Sequence, residues 1–356
     1  MMSSAKYAAI NTKLRGMEAK FLNNTDYESL LEKTTVREVA EYLKTTPAYA
    51  AVLRDTDVST VNRSDLEHTL KKSIIEDVDR IIKYFSGNDK TFVHSLYSKY
   101  EINDMKQLAR RLSNEIPQSL IYENKEINLE FIGKFSGVSL EKVKQAENIS
   151  GIIEAYENTV FYKYLKPILL SEHPNNLFRF ETVLDLAYYS ILRHESEKLD
   201  AANQKLIKIT VGTIGDLLNL QSIYRGMRFY NFMPAELFNY TVDAGYRFSK
   251  QKLRDLCYLD SVEQLQESIK HTKYAFLIKN DETTDSFMER RLERYIYFFL
   301  RKIRISNPMS IIEAFSHIIY IEYQVRDIIT LIEIIKYNLS PQDAQGYLIK
   351  YISGRA

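Results

Sequence analysis

Ile102-Asn103-Asp104-Met105-Lys106-Gln107-Leu108 has the pattern Ile-x-Asp-apolar-x-x-Leu, which returns as Ile214-Gly215-Asp216-Leu217-Leu218-Asn219-Leu220 and as Val325-Arg326-Asp327-Ile328-Ile329-Thr330-Leu331. The three aspartates, Asp104, Asp216 and Asp327, follow one another at intervals that agree to within a single position, a regularity that marks internal triplication. Tyr100-Glu101 precedes the first copy and Tyr323-Gln324 the third, whereas the middle copy lacks such a pair.

Two further landmarks keep the same order. Glu-x-x-Leu occurs at Glu67 with Leu70, Glu181 with Leu184 and Glu289 with Leu292, each a nearly constant distance ahead of its aspartate. Further upstream a Ser/Thr-apolar start appears as Thr35-Val36, Ser139-Leu140 and Ser261-Val262.

These landmarks predict helix starts. Thr35 with Glu38, Ser64 with Glu67, Ser261 with Gln264 and Ser286 with Glu289 fit the capping box, in which a hydroxyl takes the amide three residues on and the acid or amide there reaches back. Glu67 and Glu289 are therefore expected to be structural. The middle repeat lacks this chemistry, since Lys142 follows Ser139 by three and Phe178 precedes Glu181 by three, so its helices begin by other means. Around the first aspartate, Ile102, Met105, Leu108, Ala109 and Leu112 recur at spacings of three and four, the rhythm of a half-buried helix. Asp104 flanks that face. A shared ion site for Asp104, Asp216 and Asp327 is the functional alternative, but buried carboxylates are ordinarily satisfied by a neighbouring Arg, Lys, Tyr or helix start.

Composition supports an all-α fold. Glycine and proline make up 18 of 356 residues, about 5% against the usual ~12%, so few connections and mostly long helices are expected. Pro117 and Pro234 each follow an aspartate helix, which places repeat boundaries at 1–117, 118–234 and 235–356. A net charge of +1 provides no overall field for nucleic acid or an anionic membrane. The one cysteine, Cys257, cannot form an internal disulfide, which fits a reducing compartment. No stretch reaches the ~18 apolar residues of a membrane span, and Met1-Met2-Ser3-Ser4-Ala5-Lys6 lacks the apolar run of a signal peptide, so a cytosolic or peripheral protein is expected.

Catalytic signatures are missing. His68, His94, His173, His194, His271 and His317 are scattered, and His194-Glu195 is not completed because Lys198 stands where the second zinc-binding histidine belongs. There is neither a P-loop nor a Gly-x-Ser-x-Gly elbow, and Gly212-Thr213-Ile214-Gly215 lies within the helical motif. No catalytic, cofactor-binding or metal-ligating residue is assigned.

Two features concern surfaces. Met288 to Arg304 carries six basic residues around Tyr295-Ile296-Tyr297-Phe298-Phe299-Leu300. A segment apolar around most of its circumference packs in its own core or against a partner, and the interleaved Glu289 and Glu293 favour ion pairs within the helix over a nucleic-acid stripe. The other feature is 26 tyrosines with no tryptophan, which suits helix interfaces and partner surfaces alike.

At the level of these repeats the chain resembles the C subunit of archaeal and bacterial V/A-type rotary ATPases, a family that takes in the AC39 protein, or d subunit, of vacuolar ATPases. The resemblance rests on the run Tyr100 to Arg111, the run Tyr323 to Ile328, and the order and spacing of the landmarks from Lys6 to Ile352. It implies three pseudo-symmetric helical repeats forming a funnel around a central cavity. It also implies a non-catalytic rotor subunit, peripheral on the cytoplasmic face, whose partners are the central shaft subunits and the membrane proteolipid ring. No cofactor, nucleic acid or small-molecule substrate is implied. The alternatives are a helical-repeat scaffold outside any motor, whose usual repeats of ~33 to 47 residues fit poorly, and an enzyme assembled from distant residues.

Overall fold

The computed structural model describes residues 2–114, 129–279, 283–337 and 340–351; among these every regular element is a helix. The chain is all-α. Pro117 and Ile352 lie outside the described residues.

Two compact units divide the chain. The first joins the residues up to Phe85 with those from Lys270 onward; the second runs from Ser86 to Ile269.

The first unit is organised by the 26-residue helix Ile312–Tyr337. Its sequence is apolar on nearly every side, and Ile312, Phe315, Ile318, Ile321, Val325, Ile328 and Leu331 are all buried. Such a helix has no solvent face to spare and must be surrounded; helices Met2–Glu18, Arg63–Ile82 and Thr283–Ser306 pack against it. In the second unit the helix Leu177–Ser196 packs against Gly87–Ser95, Ser98–Ser113, Tyr162–Leu169 and Ala201–Arg225. Its Phe180, Leu184 and Ile191 join Ile102, Met105, Leu108, Ala109 and Leu112 in one core, so the rhythm around Asp104 is the buried stripe of Ser98–Ser113.

All three Glu-x-x-Leu landmarks lie on the long helix preceding an aspartate helix, with Leu70, Leu184 and Leu292 buried. Glu67 pairs with Arg63 and Lys71, Glu181 with Arg110, and Glu289 lies 4.0 Å from Arg326.

The helix starts differ from expectation in two places. Arg63–Ile82 is capped by Asn62, whose side chain accepts the Asp65 amide, and Ser64 lies inside the helix; Thr283–Ser306 likewise begins before Ser286. Thr35 and Ser261 do cap, accepting the amides of Glu38 and Gln264. The acid and the amide there reach back one residue further than the capping box requires: Glu38 takes the Thr34 amide and Gln264 takes the Asp260 amide. In the middle of the chain Asn148, Asn176 and Asp200 are the caps. Asn148 precedes Asp216 by nearly the same stretch of chain as separates Thr35 from Asp104 and Ser261 from Asp327. Ser139 instead opens the short helix Leu140–Lys144 without a side-chain cap bond. Asparagine and aspartate cap many of the helix starts where glycine and proline are few, and helices of five to eight residues, such as Asn24–Leu31 and Ile149–Ala155, occur beside helices of 20 or more.

Candidate functional site

Each recurring aspartate projects from the middle of a helix and takes main-chain amides from a segment well downstream. Asp104 accepts the Phe131 amide at 2.8 Å. Asp216 accepts those of Tyr246, Arg247 and Phe248 at 3.1, 2.8 and 3.2 Å. Asp327 accepts those of Ile349 and Lys350 at 2.6 and 2.9 Å, together with the Tyr27 hydroxyl at 3.2 Å. All three are at most 3% exposed, so these bonds are what make burial of the carboxylates tolerable. The main-chain groups of a helix are mostly paired within it, so a carboxylate projecting from the helix is the readier acceptor for a returning segment.

The residue three before the aspartate extends the arrangement. Glu101 receives the amides of Gly133, Phe135 and Ser136 and the hydroxyls of Ser136 and Tyr156. Gln324 receives the Leu22 amide at 2.9 Å and donates to the Tyr49 hydroxyl at 3.0 Å. The middle copy carries Thr213 there, between two glycines with a steric purpose. A Cβ on Gly212 would stand 2.8 Å from the Tyr246 Cβ, and one on Gly215 would stand 3.0 Å from the Ala244 oxygen. The glycines let the 244–248 segment lie directly on the helix, with the Tyr246 amide also bonded to the Gly212 carbonyl at 3.2 Å.

Burial raises the Asp104 carboxyl to about 8, against the pull of the Phe131 amide. Burial likewise raises Asp327 although two amides favour its charge. Tyr27 and Tyr156 are pushed well above the usual tyrosine range, by burial first and by their carboxylate partners second.

The remaining sequence features are dispersed. His68, His173, His194 and His271 are exposed, and His94 is half-buried, its Nε2 3.2 Å from the Lys134 carbonyl. His317 is buried against Glu18, Nδ1 to Oε1 2.8 Å. Cys257 is buried and its thiol is pushed up to about 12 by burial. Among the described residues no group of three or more His, Cys, Asp or Glu side chains is placed to hold a metal ion. Among the same residues no helix is long and apolar enough to cross a membrane.

The basic-aromatic segment Met288 to Arg304 serves its own core. Met288, Leu292, Ile296 and Leu300 are buried at the helical spacing of four, and Arg290 pairs with Glu293 at 2.9 Å. Arg294 donates to the carbonyls of Gln345, Gly346 and Leu348. Arg304 joins Glu18 and Glu313; burial raises the Glu18 carboxyl, but the hydrogen bonds from His317 and Arg304 outweigh it and hold the group below its ordinary value.

Phe298 and Ile305 are exposed, but a denser run of exposed apolar side chains lies in the second unit. After helix Ala201–Arg225 the chain takes one π-helical turn, Gly226–Tyr230, and Asn231 closes it in the left-handed region at φ 48°. Phe229, Tyr230 and Met233 are left 54%, 61% and 70% exposed within five residues of one another. Phe232 stacks on Tyr230 at 5.3 Å and meets Phe178 and Tyr240 at 5.6 Å. The tightly spaced run Phe229-Tyr230-Asn231-Phe232-Met233 before Pro234 is the sequence signal for this patch.

A family model described as ATP synthase (C/AC39) subunit matches residues 10–347. The chain is 22% identical to the C subunit of the A-type ATP synthase of Methanocaldococcus jannaschii, the alignment covering 97% of this chain and 86% of that protein. It is 23% identical to the corresponding A-type ATP synthase C subunit of Methanosarcina mazei over 89% of this chain and 85% of the relative. For the A-type ATP synthase C subunit of Desulfurococcus sp. the figures are 22%, 94% and 88%.

Proposed function

Because the chain belongs to the ATP synthase (C/AC39) subunit family, we propose that it is the non-catalytic rotor subunit of a V/A-type rotary ATPase, a socket coupling the central shaft to the membrane proteolipid ring. The observation that carries this reading is the end-to-end match: the family covers residues 10–347, and the relatives are covered over most of their own length. In this role the protein transmits torque between ATP chemistry on the shaft side and proton or sodium transport in the membrane, resting on the cytoplasmic face.

The same reading takes the fold as three pseudo-symmetric repeats, 1–117, 118–234 and 235–356, forming a funnel around a central cavity. The three aspartate anchors support it, since carboxylates at nearly equal intervals along the chain each hold a returning segment in the same manner. A coupling must be stiff, and a carboxylate bonded to main chain fixes a linker more firmly than side-chain packing alone.

The aromatic patch around Phe229, Tyr230 and Met233 supports a surface for a neighbouring protein within the complex, because contiguous exposed aromatics are what interfaces bury. The paired change Phe229→Ser with Met233→Ser should leave thermal unfolding unaltered while lowering incorporation into the assembled complex; full incorporation would remove the patch from the interface. For the function itself, the complex is reconstituted without this chain. Hydrolysis should persist uncoupled from ion transport, and full coupling in its absence would refute the assignment.

A further inference from the structure

In the second unit the anchors are bridged by continuous chain. Asp104 holds the Phe131 amide, Glu101 holds those of Gly133, Phe135 and Ser136, and the chain runs on into helix Leu140–Lys144. Asp216 holds residues 246–248, and Ser249 immediately caps helix Lys250–Cys257.

At Asp327 the same order is assembled from both ends of the polypeptide. Asp327 holds the amides of Ile349 and Lys350, near the C-terminus. Gln324, in the position of Glu101, holds the amide of Leu22, near the N-terminus. From Leu22 the chain enters helix Asn24–Leu31 through the capping residue Asn23, as residues 246–248 lead through Ser249 into Lys250–Cys257. The Tyr49 hydroxyl meets Gln324 as the Tyr156 hydroxyl meets Glu101. The step from Lys350 to Leu22 is no covalent bond, and side chains span it. Lys350 Nζ donates to Gln324 Oε1 at 3.0 Å and lies 4.4 Å over the Phe21 ring. The Tyr351 ring is 6.0 Å from that of Tyr27, its hydroxyl reaches Glu28 at 3.4 Å, and Tyr27 itself donates to Asp327. Arg294 grips the strap from its other side through the Leu348 carbonyl. Glu101 only accepts, whereas Gln324 accepts from Leu22 and Lys350 and donates to Tyr49.

We infer that Leu348–Tyr351 is a non-covalent strap, which with the N-terminal stretch Phe21–Glu28 traces the path that a continuous linker takes at Asp104 and Asp216. This rests on the three-repeat reading. The strap makes the first unit, alone of the two, dependent on a seam between segments far apart in sequence, and that seam is where the unit opens first.

Hydrogen exchange on the full chain and on a chain ending at Tyr347 tests the inference. Truncation should accelerate amide exchange across Leu22–Leu31 by roughly tenfold or more, the loss of one or two buried hydrogen bonds, while residues 131–136 and 246–248 stay as protected as before. A peptide of residues 348–356, the part removed, added in excess should restore protection. Exchange at Leu22–Leu31 within twofold of the full chain would overturn the strap. Should the shortened chain fail to fold, the full-length Gln324→Leu variant carries the same expectation for Leu22–Leu31, and unchanged protection there is equally fatal. Asp216→Ala is the separate control on the repeat reading: if residues 246–248 remain protected in it, the shared anchor fails, whatever happens at the strap.

Discussion

Replacing Asp216 by alanine removes the acceptor for three main-chain amides at once. The Phe248 bond is buried, and an unsatisfied buried donor costs about 2 kcal/mol. Arg247 is exposed and water can reach its amide once the segment loosens, so it counts for about 1 kcal/mol, while the Tyr246 amide keeps the Gly212 carbonyl and counts for about 0.5 kcal/mol. Alanine regains roughly 0.5 kcal/mol of helix propensity over aspartate. The net expectation is a loss of about 3 kcal/mol, confined to the second unit. In urea, with a slope near ~3 kcal/mol/M for a unit of this size, the midpoint falls by about 1 M. Because the two units need not unfold together, exchange at residues 244–250 should be followed in parallel and should rise while Ile349 and Lys350 keep their protection. Asp216→Asn keeps one acceptor oxygen and should recover less than half of the loss. A midpoint shift below about 0.3 M, or unchanged exchange at 246–248, would refute the idea that this carboxylate holds the segment.

Three further outcomes follow from the same geometry. The Asp104 carboxyl, raised by burial from its ordinary 3.8 to about 8, binds its proton more tightly folded than unfolded, so its contribution is complete below about pH 4 and is lost as pH rises through 8. The urea midpoint of wild type relative to Asp104→Asn should fall over that window, and a flat difference would contradict the assignment. Gly212→Ala drives a Cβ to within 2.8 Å of Tyr246 and should cost about 1 to 3 kcal/mol in unfolding, whereas Gly16→Ala, in open space on helix Met2–Glu18, should instead stabilise by up to about 1 kcal/mol. Arg304→Met strands Glu18 and Glu313 and should cost about 3 kcal/mol by denaturant unfolding, with Arg304→Lys recovering only part, since a lysine cannot serve both carboxylates in the fixed fork of a guanidinium.

The aspartate repeat was legible in sequence because an acid amid apolar helix positions is conspicuous and its spacing is checkable. The partners of those aspartates were not. They are main-chain amides 22 to 32 residues downstream, and an amide has no side-chain signature. Gly212 and Gly215 looked like decay of the motif and are instead the reason the 244–248 segment can lie on its helix. Counting only glycine and proline as turn formers hid short helices such as Asn24–Leu31 and Ile149–Ala155, which Asn23 and Asn148 open through side-chain caps. The aromatic run near Met233 was ambiguous for another reason: hydrophobicity does not distinguish a residue waiting for a partner from one already in a core. Met288 to Arg304, the richer stretch, buries Met288, Leu292, Ile296 and Leu300 in its own core and leaves Phe298 exposed.

The measurement that bears most directly on the central claim is affinity purification of the tagged protein from its own host in mild detergent, with mass spectrometry of what accompanies it. Recovery of shaft subunits together with a proteolipid ring is the predicted result. A monomer free of both, or a set of unrelated partners, would contradict the coupling role and return the chain to the class of helical scaffolds.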